Sequence, residues 1–275
     1  MTSSERPTSP AEAYQAYYGP AIFEPLSEQV LALAAPSPGD RVLEIASGTG
    51  ILARKLAAAT GPAGRVVGID LNPKMVEVAQ RLGGDEAVEY HQGDGTALDL
   101  PDGGFDAVYC QQGLQLFPDR AAGAREMRRV LEPRGRAVVI TWHGLDAHPL
   151  FAALADAEEP HLAASGVEID RAELVAPFSL GNADDLVTLL RDAGFTEVEI
   201  HQVSIDARFA DADRFVERME FAYAAVIPQF AEDPAAFAAY LRAINEETRD
   251  IVASYRAGDE ILVPMHAHVA IAAAE

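Results

Sequence analysis

The sequence predicts an α/β protein: a seven-stranded, mostly parallel sheet with an antiparallel last strand, helices on both faces and a helical cap. The prediction rests on alternation. Between residues 41 and 142, apolar runs of strand length alternate with segments of helical periodicity, the pattern of parallel strands joined by crossover helices. It rests also on the run Val42-Leu43-Glu44-Ile45, which enters the turn Ala46-Ser47-Gly48-Thr49-Gly50 and leaves it as a helix.

After a polar start, Ile22, Leu26, Val30 and Leu33 recur at three- and four-residue spacing and define an amphipathic helix over 21–35 that stops before Pro36. Tyr14, Tyr17 and Tyr18 lie just upstream. Strands are expected over 41–46, 65–69, 88–92, 105–110 and 136–142, with helices between them over 51–59, 73–82 and 119–131. Beyond Trp142, residues 184–193 supply one more helix, 196–205 a sixth strand and 261–271 a seventh. Two insertions interrupt that ending, a smaller one at 149–178 and a larger one at 206–258. In the larger, Phe215, Met219, Tyr223 and Val226 share one helical face, and Phe237, Leu241, Ile244, Thr248, Ile251 and Tyr255 share another. The expected organisation is therefore an N-terminal helical segment (1–35), a core (36–205 plus 259–275) and a helical cap (206–258). The cap's aromatic and apolar side chains would roof a pocket for a partly apolar molecule; a dimer interface or a satellite core is the competing reading.

The glycine turn carries the chemistry. Glycine lets backbone N–H groups and a helix N-terminus approach a ligand closely. Gly48-x-Gly50-x-x-Ala53, with Asp70 twenty residues beyond Gly50, also satisfies the dinucleotide fingerprint. Charge argues against a dinucleotide: Glu44 precedes the turn, Asp70 ends the second strand and Asp94 follows the third, with no Lys or Arg in the turn to offset them. Three carboxylates converging on one crevice repel a pyrophosphate and favour a cation. S-adenosylmethionine fits, since it carries a sulfonium and an ammonium and no phosphate.

Glu44-x-x-x-Gly48-x-Gly50, then Gly68-Ile69-Asp70-Leu71-Asn72-Pro73-Lys74-Met75, then Gly93-Asp94-Gly95-Thr96-Ala97, resemble the first three motifs of the class I S-adenosylmethionine-dependent methyltransferases. The segments 112–119, 126–131 and Gly135-Arg136 extend the resemblance toward small-molecule methyltransferases similar to the ubiquinone/menaquinone-biosynthesis enzymes. It covers about residues 38–145, and it implies a Rossmann-like sheet and S-adenosylmethionine as cofactor. It implies that Ala46, Ser47, Gly48 and Gly50 pass under the methionine part, with Glu44 orienting the turn or reaching the amino group through backbone or water. Asp70 would bind the ribose hydroxyls, Leu71 and Met75 would line the adenine, and Asp94 would accept from its amino group beside the Gly95-Thr96 backbone. Gln111 would lie near the methionine and the transferred methyl. The N-terminal segment closes over the cofactor in related enzymes, which brings Tyr18 into consideration.

Methyl transfer from a sulfonium asks for little beyond an in-line acceptor and a dry pocket. A base matters where the acceptor must lose a proton. His143, directly after the fifth strand, is the first candidate, because an unperturbed imidazole titrates near neutrality. Gln111, Gln112 and Gln115 could orient an acceptor but cannot serve as bases, and Tyr18 is the weaker alternative. No metal is expected: residues 109–117 contain no carboxylate, and His143, Asp146 and His148 lack further partners. Cys110 reads as a small core residue. The function expected is methyl transfer to an O, N or C atom of a small, partly apolar acceptor. The alternatives are an NAD(P)-dependent oxidoreductase and a methyltransferase-fold protein that uses the cofactor in a non-methylating reaction such as cyclisation.

Composition sets outer bounds. With 275 residues and 49% hydrophobic content the chain can bury a substantial core. Its 21 basic and 43 acidic side chains leave a net charge of −22, which opposes nucleic-acid and anionic-lipid partners. The single cysteine excludes an internal disulfide framework. No apolar run reaches the roughly eighteen residues of a membrane span, so a cytoplasmic location is expected, with a homodimer left open.

Overall fold

The strands follow from the alternation of apolar runs with turn residues. In the computed structural model, which describes residues 7–83, 88–223 and 227–274, they are β1 (Arg41–Ile45), β2 (Arg65–Asp70), β3 (Glu89–Gln92), β4 (Phe105–Gln111), β5 (Leu131–Trp142), β6 (Glu197–Ala210), β7 (Arg256–Ala257) and β8 (Glu260–Ala273). They form one sheet in the order β3-β2-β1-β4-β5-β8-β6, with the short β7 paired to β8. Strands β1 to β5 run parallel and β8 antiparallel to β5, with Thr141 opposite His268. The predicted α/β class and mixed sheet are thus observed, with two-residue β7 as an eighth strand. The strand order reverses between β1 and β4, so the connections that follow these paired strands leave toward opposite faces of the sheet and a crevice opens outside their C-terminal ends.

The crossover helices start where the sequence supplies caps. Asn72 accepts from Lys74 N–H ahead of Pro73, and Asp119 accepts from Ala122 N–H, opening the helices Pro73–Leu82 and Arg120–Val130. Asn182 does the same for Ala183–Asp192. Helices Arg120–Val130 and Ala183–Asp192 cover one face of the sheet, where Val108, Met127, Val139, Leu186, Leu190 and Phe195 form a shared core. Asp106 at the opposite end of β4 holds Arg41 through its backbone N–H and guanidinium (2.7, 3.0 and 2.8 Å), registering β1 against β4.

Several boundaries differ from expectation. The α-helix near the N-terminus spans Glu24–Ala34, and Tyr14–Phe23 before it forms a wider helical coil. Pro20 lies inside that coil and lacks the N–H that a tight α-helix would use. Strand β5 begins at Leu131 rather than 136, because a register shift between Phe105 and Ala107 accommodates Arg134 in a left-handed turn (φ 73°). Strand β6 runs on to Ala210, well past its expected end, while β8, Glu260–Ala273, nearly matches its expected range. In the larger insertion, the second expected helix breaks at Thr248 into Pro234–Glu247 and Arg249–Ser254. Tyr240, unremarked in the sequence pattern, is buried on its inner face with Ile244 and Thr248. Val226 lies outside the described residues.

The chain folds as two compact units. The sheet unit comprises the described residues of 24–147, 176–204 and 266–275. The helical unit comprises those of 1–23, 148–175 and 205–265. Within the helical unit, the helices Pro149–Ala164, Phe215–Tyr223 and Pro234–Glu247 pack on one another. Among the described residues no helix is long and apolar enough to cross a membrane.

Candidate cofactor and active site

The glycine turn is built by backbone strain and by what lies beneath it. Ala46 takes a left-handed conformation (φ 57°), as do Gly48 (φ 54°) and Gly50 (φ 77°). Left-handed backbone at a non-glycine residue costs of the order of 1–3 kcal/mol and persists only where surroundings enforce it. Here they do: Ser47 N–H donates to the Ile69 carbonyl (2.9 Å) and Gly48 N–H to the Asp70 carboxylate (2.7 Å), tying the turn to the end of β2. Asp70 accepts a second backbone bond from Asn72 (2.8 Å).

Glycine at 50 is imposed by Tyr90. A Cβ there would stand 2.2 Å from the Tyr90 hydroxyl, which donates to the Gly50 carbonyl at 3.3 Å. The same ring fills the groove over Gly68 of β2, where a Cβ would come within 2.8 Å. Tyr90 therefore props the turn from below. Burial pushes its phenol up to about 12, with the Glu44 carboxyl adding to the effect. Sequence reading passed over Tyr90; the signal was Gly68, a glycine inside a strand, which marks a close approach.

Glu44 and Asp70 are set against each other. Glu44 is buried (2% exposed) and held by the Ala53 N–H, and its other carboxylate oxygen has no hydrogen-bond partner. Burial raises its proton affinity well above the usual carboxylate range, and the nearby Asp70 charge raises it further. Asp70 is shifted upward as well, by burial, against the pull of its two backbone donors. The turn itself holds no Lys or Arg, but a base lies just beyond it. Arg54, one turn into the helix Ile51–Thr60, returns its guanidinium to the Thr49 carbonyl (2.7 Å) and lies within electrostatic reach of Glu44.

Asp94 is placed differently. It is exposed, and its Oδ1 accepts from the backbone N–H (2.8 Å) and hydroxyl (2.7 Å) of Thr96, which lower its proton affinity. Gly95 is buried against the end of β1, where a Cβ would meet Phe117 at 2.6 Å and Ile45 at 2.7 Å. Leu71 is 65% exposed and Met75 half-buried on the next helix.

Across the crevice, the turn after β4 mirrors that after β1. Gln112 is left-handed (φ 57°), and a Cβ at Gly113 would strike the Ala46 side chain at 2.5 Å, so the two turns touch. Gln111 is buried and within 3.3 Å of the Ser27 hydroxyl. The Gln112 oxygen accepts from Gln115 (2.6 Å) and the Trp142 N–H (3.1 Å). Cys110 is buried, and burial pushes its thiol up to about 12, far from a reactive thiolate.

His143 follows β5 and is half-buried. Its ring stacks on that of His268 with centroids 4.0 Å apart and planes 22° apart. His268 is fixed in turn by a 3.0 Å hydrogen bond with the Gly181 carbonyl. Tyr18 belongs to the helical unit, where its hydroxyl donates to the Met219 carbonyl (2.9 Å). Gln111 and His143 belong to the sheet unit.

Comparison with known proteins gives the class. Residues 43–139 match a family model described as a methyltransferase domain. The ubiquinone/menaquinone biosynthesis C-methyltransferase UbiE of Pseudomonas syringae pv. tomato is 31% identical over 194 residues, covering 63% of this chain and 72% of the relative. The enzyme of the same name from Ectopseudomonas mendocina is 38% identical over 130 residues, covering 46% and 50%. The chain spans about half the length of several of the curated relatives it matches. Phosphoethanolamine N-methyltransferase 2 of Haemonchus contortus, solved with S-adenosyl-L-methionine, has a TM-score of 0.58 at 18% identity, over 96% of this chain and 57% of its own; at that identity the likeness is one of fold. The chain belongs to the class I S-adenosylmethionine-dependent methyltransferases. S-adenosylmethionine is the family's cofactor.

The residues present suit that molecule. Three buried oxygens around the glycine turn, on Glu44, Ser47 and Thr49, have no hydrogen-bond partner, so the turn has polar capacity beyond what its own fold uses. Burial raises the proton affinity of both acids, and the Asp70 charge raises that of Glu44 further, so a cation relieves them and a phosphate burdens them.

Proposed function

We propose that this protein transfers a methyl group from S-adenosylmethionine to an O, N or C atom of a small, partly apolar molecule. The observation that carries the reading is the buried Glu44 with the half-buried Asp70 beside the glycine turn, a setting for a cationic nucleoside. In this reading Asp70 keeps its two backbone bonds and accepts from the ribose hydroxyls with its remaining lone pairs. Glu44 orients the turn through Ala53, and Ala46, Ser47, Gly48 and Gly50 run under the methionine part. Leu71 and Met75 line the adenine, Asp94 accepts from its amino group, and the Gly95-Thr96 backbone packs beside the ring. Gln111, steadied by Ser27, lies near the methionine.

When bound, the cofactor supplies a methyl already activated by its sulfonium, so positioning carries much of the rate. His143 takes the acceptor's proton where one must leave, its ring held by the His268 stack; Tyr18 is the alternative. Both curated relatives above are named for quinone biosynthesis, which makes a naphthoquinol the first acceptor to assay. We place the protein in the cytoplasm without nucleic-acid or membrane partners, in keeping with its charge of −22, and hold open a homodimer.

Thermal melting tests the reading. S-adenosylhomocysteine is expected to raise the melting temperature and NADH to leave it unchanged. Stabilisation by NADH alone would favour the oxidoreductase, and tight cofactor binding without methylated product from any acceptor would favour cyclisation. His143→Ala is expected to lower turnover while cofactor affinity holds; unaltered turnover would remove it from catalysis.

A further inference from the structure

We propose that the helical unit holds a second ligand site, a pocket for a small apolar monocarboxylate, separate from the glycine turn. A cavity of about 140 Å³ lies between the N-terminal coil, the end of β6 and the helix Phe215–Tyr223. Its walls are apolar: Pro20, Phe209, Phe215 and Met219. An apolar cavity of about 150 Å³ holds a benzene ring, so the space suits one ring or a chain of about six carbons.

The polar lining fixes the charge of the ligand. Arg208 and Arg218 both line the cavity, and among the described residues no Asp or Glu does. In a chain with twice as many acidic as basic side chains, a wall carrying two guanidinium groups and no carboxylate departs sharply from the surface average. Arg218 is pre-set. Its guanidinium lies 5.1 Å above the Tyr17 ring and donates to the Ala210 carbonyl (2.7 Å) and to Asp211 (2.8 Å). Its Nε–H is buried with no hydrogen-bond partner. Asp211, which anchors it, is held in a left-handed conformation (φ 62°), and backbone strain of this kind gathers at ligand clamps. Arg208 is the adaptable partner: its bond to Glu260 is long, at 3.2 Å, and exposed, so an entering carboxylate can compete for it. A planar carboxylate matches the guanidinium fork, and an apolar body fills the space behind it.

The test uses the full chain without cofactor, so its outcome does not depend on methyl transfer. Benzoate, benzylamine and benzyl alcohol are titrated by calorimetry into the wild type, Ala16→Trp, which fills the exposed mouth, and Arg208→Gln. Benzoate is expected to bind the wild type at least tenfold more tightly than either other probe. Both variants are expected to lose tenfold or more of that affinity while keeping the wild-type melting temperature. No benzoate binding, equal binding of benzylamine, or wild-type affinity in both variants would overturn the proposal. Should Ala16→Trp fail to fold, Arg208→Gln with the three probes still decides it.

Discussion

At the scale of single residues, Asp70 concentrates the most consequence. It braces the glycine turn through Gly48, caps the next turn through Asn72, and in the proposed function takes the ribose as well. Asp70→Ala is therefore expected to weaken S-adenosylhomocysteine binding by about 1.5–3 kcal/mol, since charge-assisted bonds are lost. Calorimetry that returned the wild-type dissociation constant would take Asp70 out of the site. The residue-level pattern of Glu44, Gly48, Gly50 and Asp70 was legible in the sequence because the glycines and the strand-end acids form a spaced motif. Arg54 and Tyr90 were not, since no motif marks a side chain that turns back to the Thr49 carbonyl or one that reaches Gly50 from β3.

At the scale of elements, the turn after β1 depends on β3. Gly50→Ala must hold φ near 77° with a side chain and push into a buried tyrosine that is itself wedged over Gly68. A loss of about 1–3 kcal/mol in stability is expected. An unchanged denaturation midpoint would mean that Tyr90 moves freely. The helical unit offers a second case. Glu220, fully buried on Phe215–Tyr223, accepts from the Tyr240 hydroxyl (2.9 Å) and shares a hydrogen bond with Glu158 of Pro149–Ala164. Burial raises the proton affinity of both carboxyls, and the Glu158 charge adds to the effect on Glu220. The folded state thus keeps protons that the unfolded chain releases above its ordinary carboxylate range. The pair's contribution is full in acid and is lost as pH rises through the folded value. Glu220→Gln, which keeps hydrogen bonding without the charge, is expected to raise stability at pH 8 by roughly 1–3 kcal/mol and to flatten the pH dependence above pH 5. A variant as pH-sensitive as the wild type would show that the pair is not what titrates. Asp106 has the opposite sign: Arg41 holds its carboxyl well below the usual range, so its stabilisation disappears on acidification.

At the scale of the whole molecule, a net charge of −22 sets a self-repulsion that no single pair offsets. The exposed ion pairs, such as Arg65 with Glu89 and Lys74 with Glu77, contribute little each. Raising ionic strength from about 0.01 to 0.15 M shortens the screening length from about 30 to 8 Å. The melting temperature is accordingly expected to rise with sodium chloride over that interval. A fall would mean that attractive pairs outweigh the net repulsion.

The sequence by itself determined the α/β class, the parallel first half of the sheet, the glycine turn with its acids and the family. All of these are written in short-range patterns: strand-length apolar runs, caps two or three residues from their donors, glycines where the backbone turns. Tertiary structure alone decided that Tyr90 supports the turn, that the turns after β1 and β4 touch through Gly113 and Ala46, that His268 stacks on His143, and that Glu158 meets Glu220. Each of those contacts joins residues dozens of positions apart. Such pairings follow from strand order and helix packing, which local spacing does not encode.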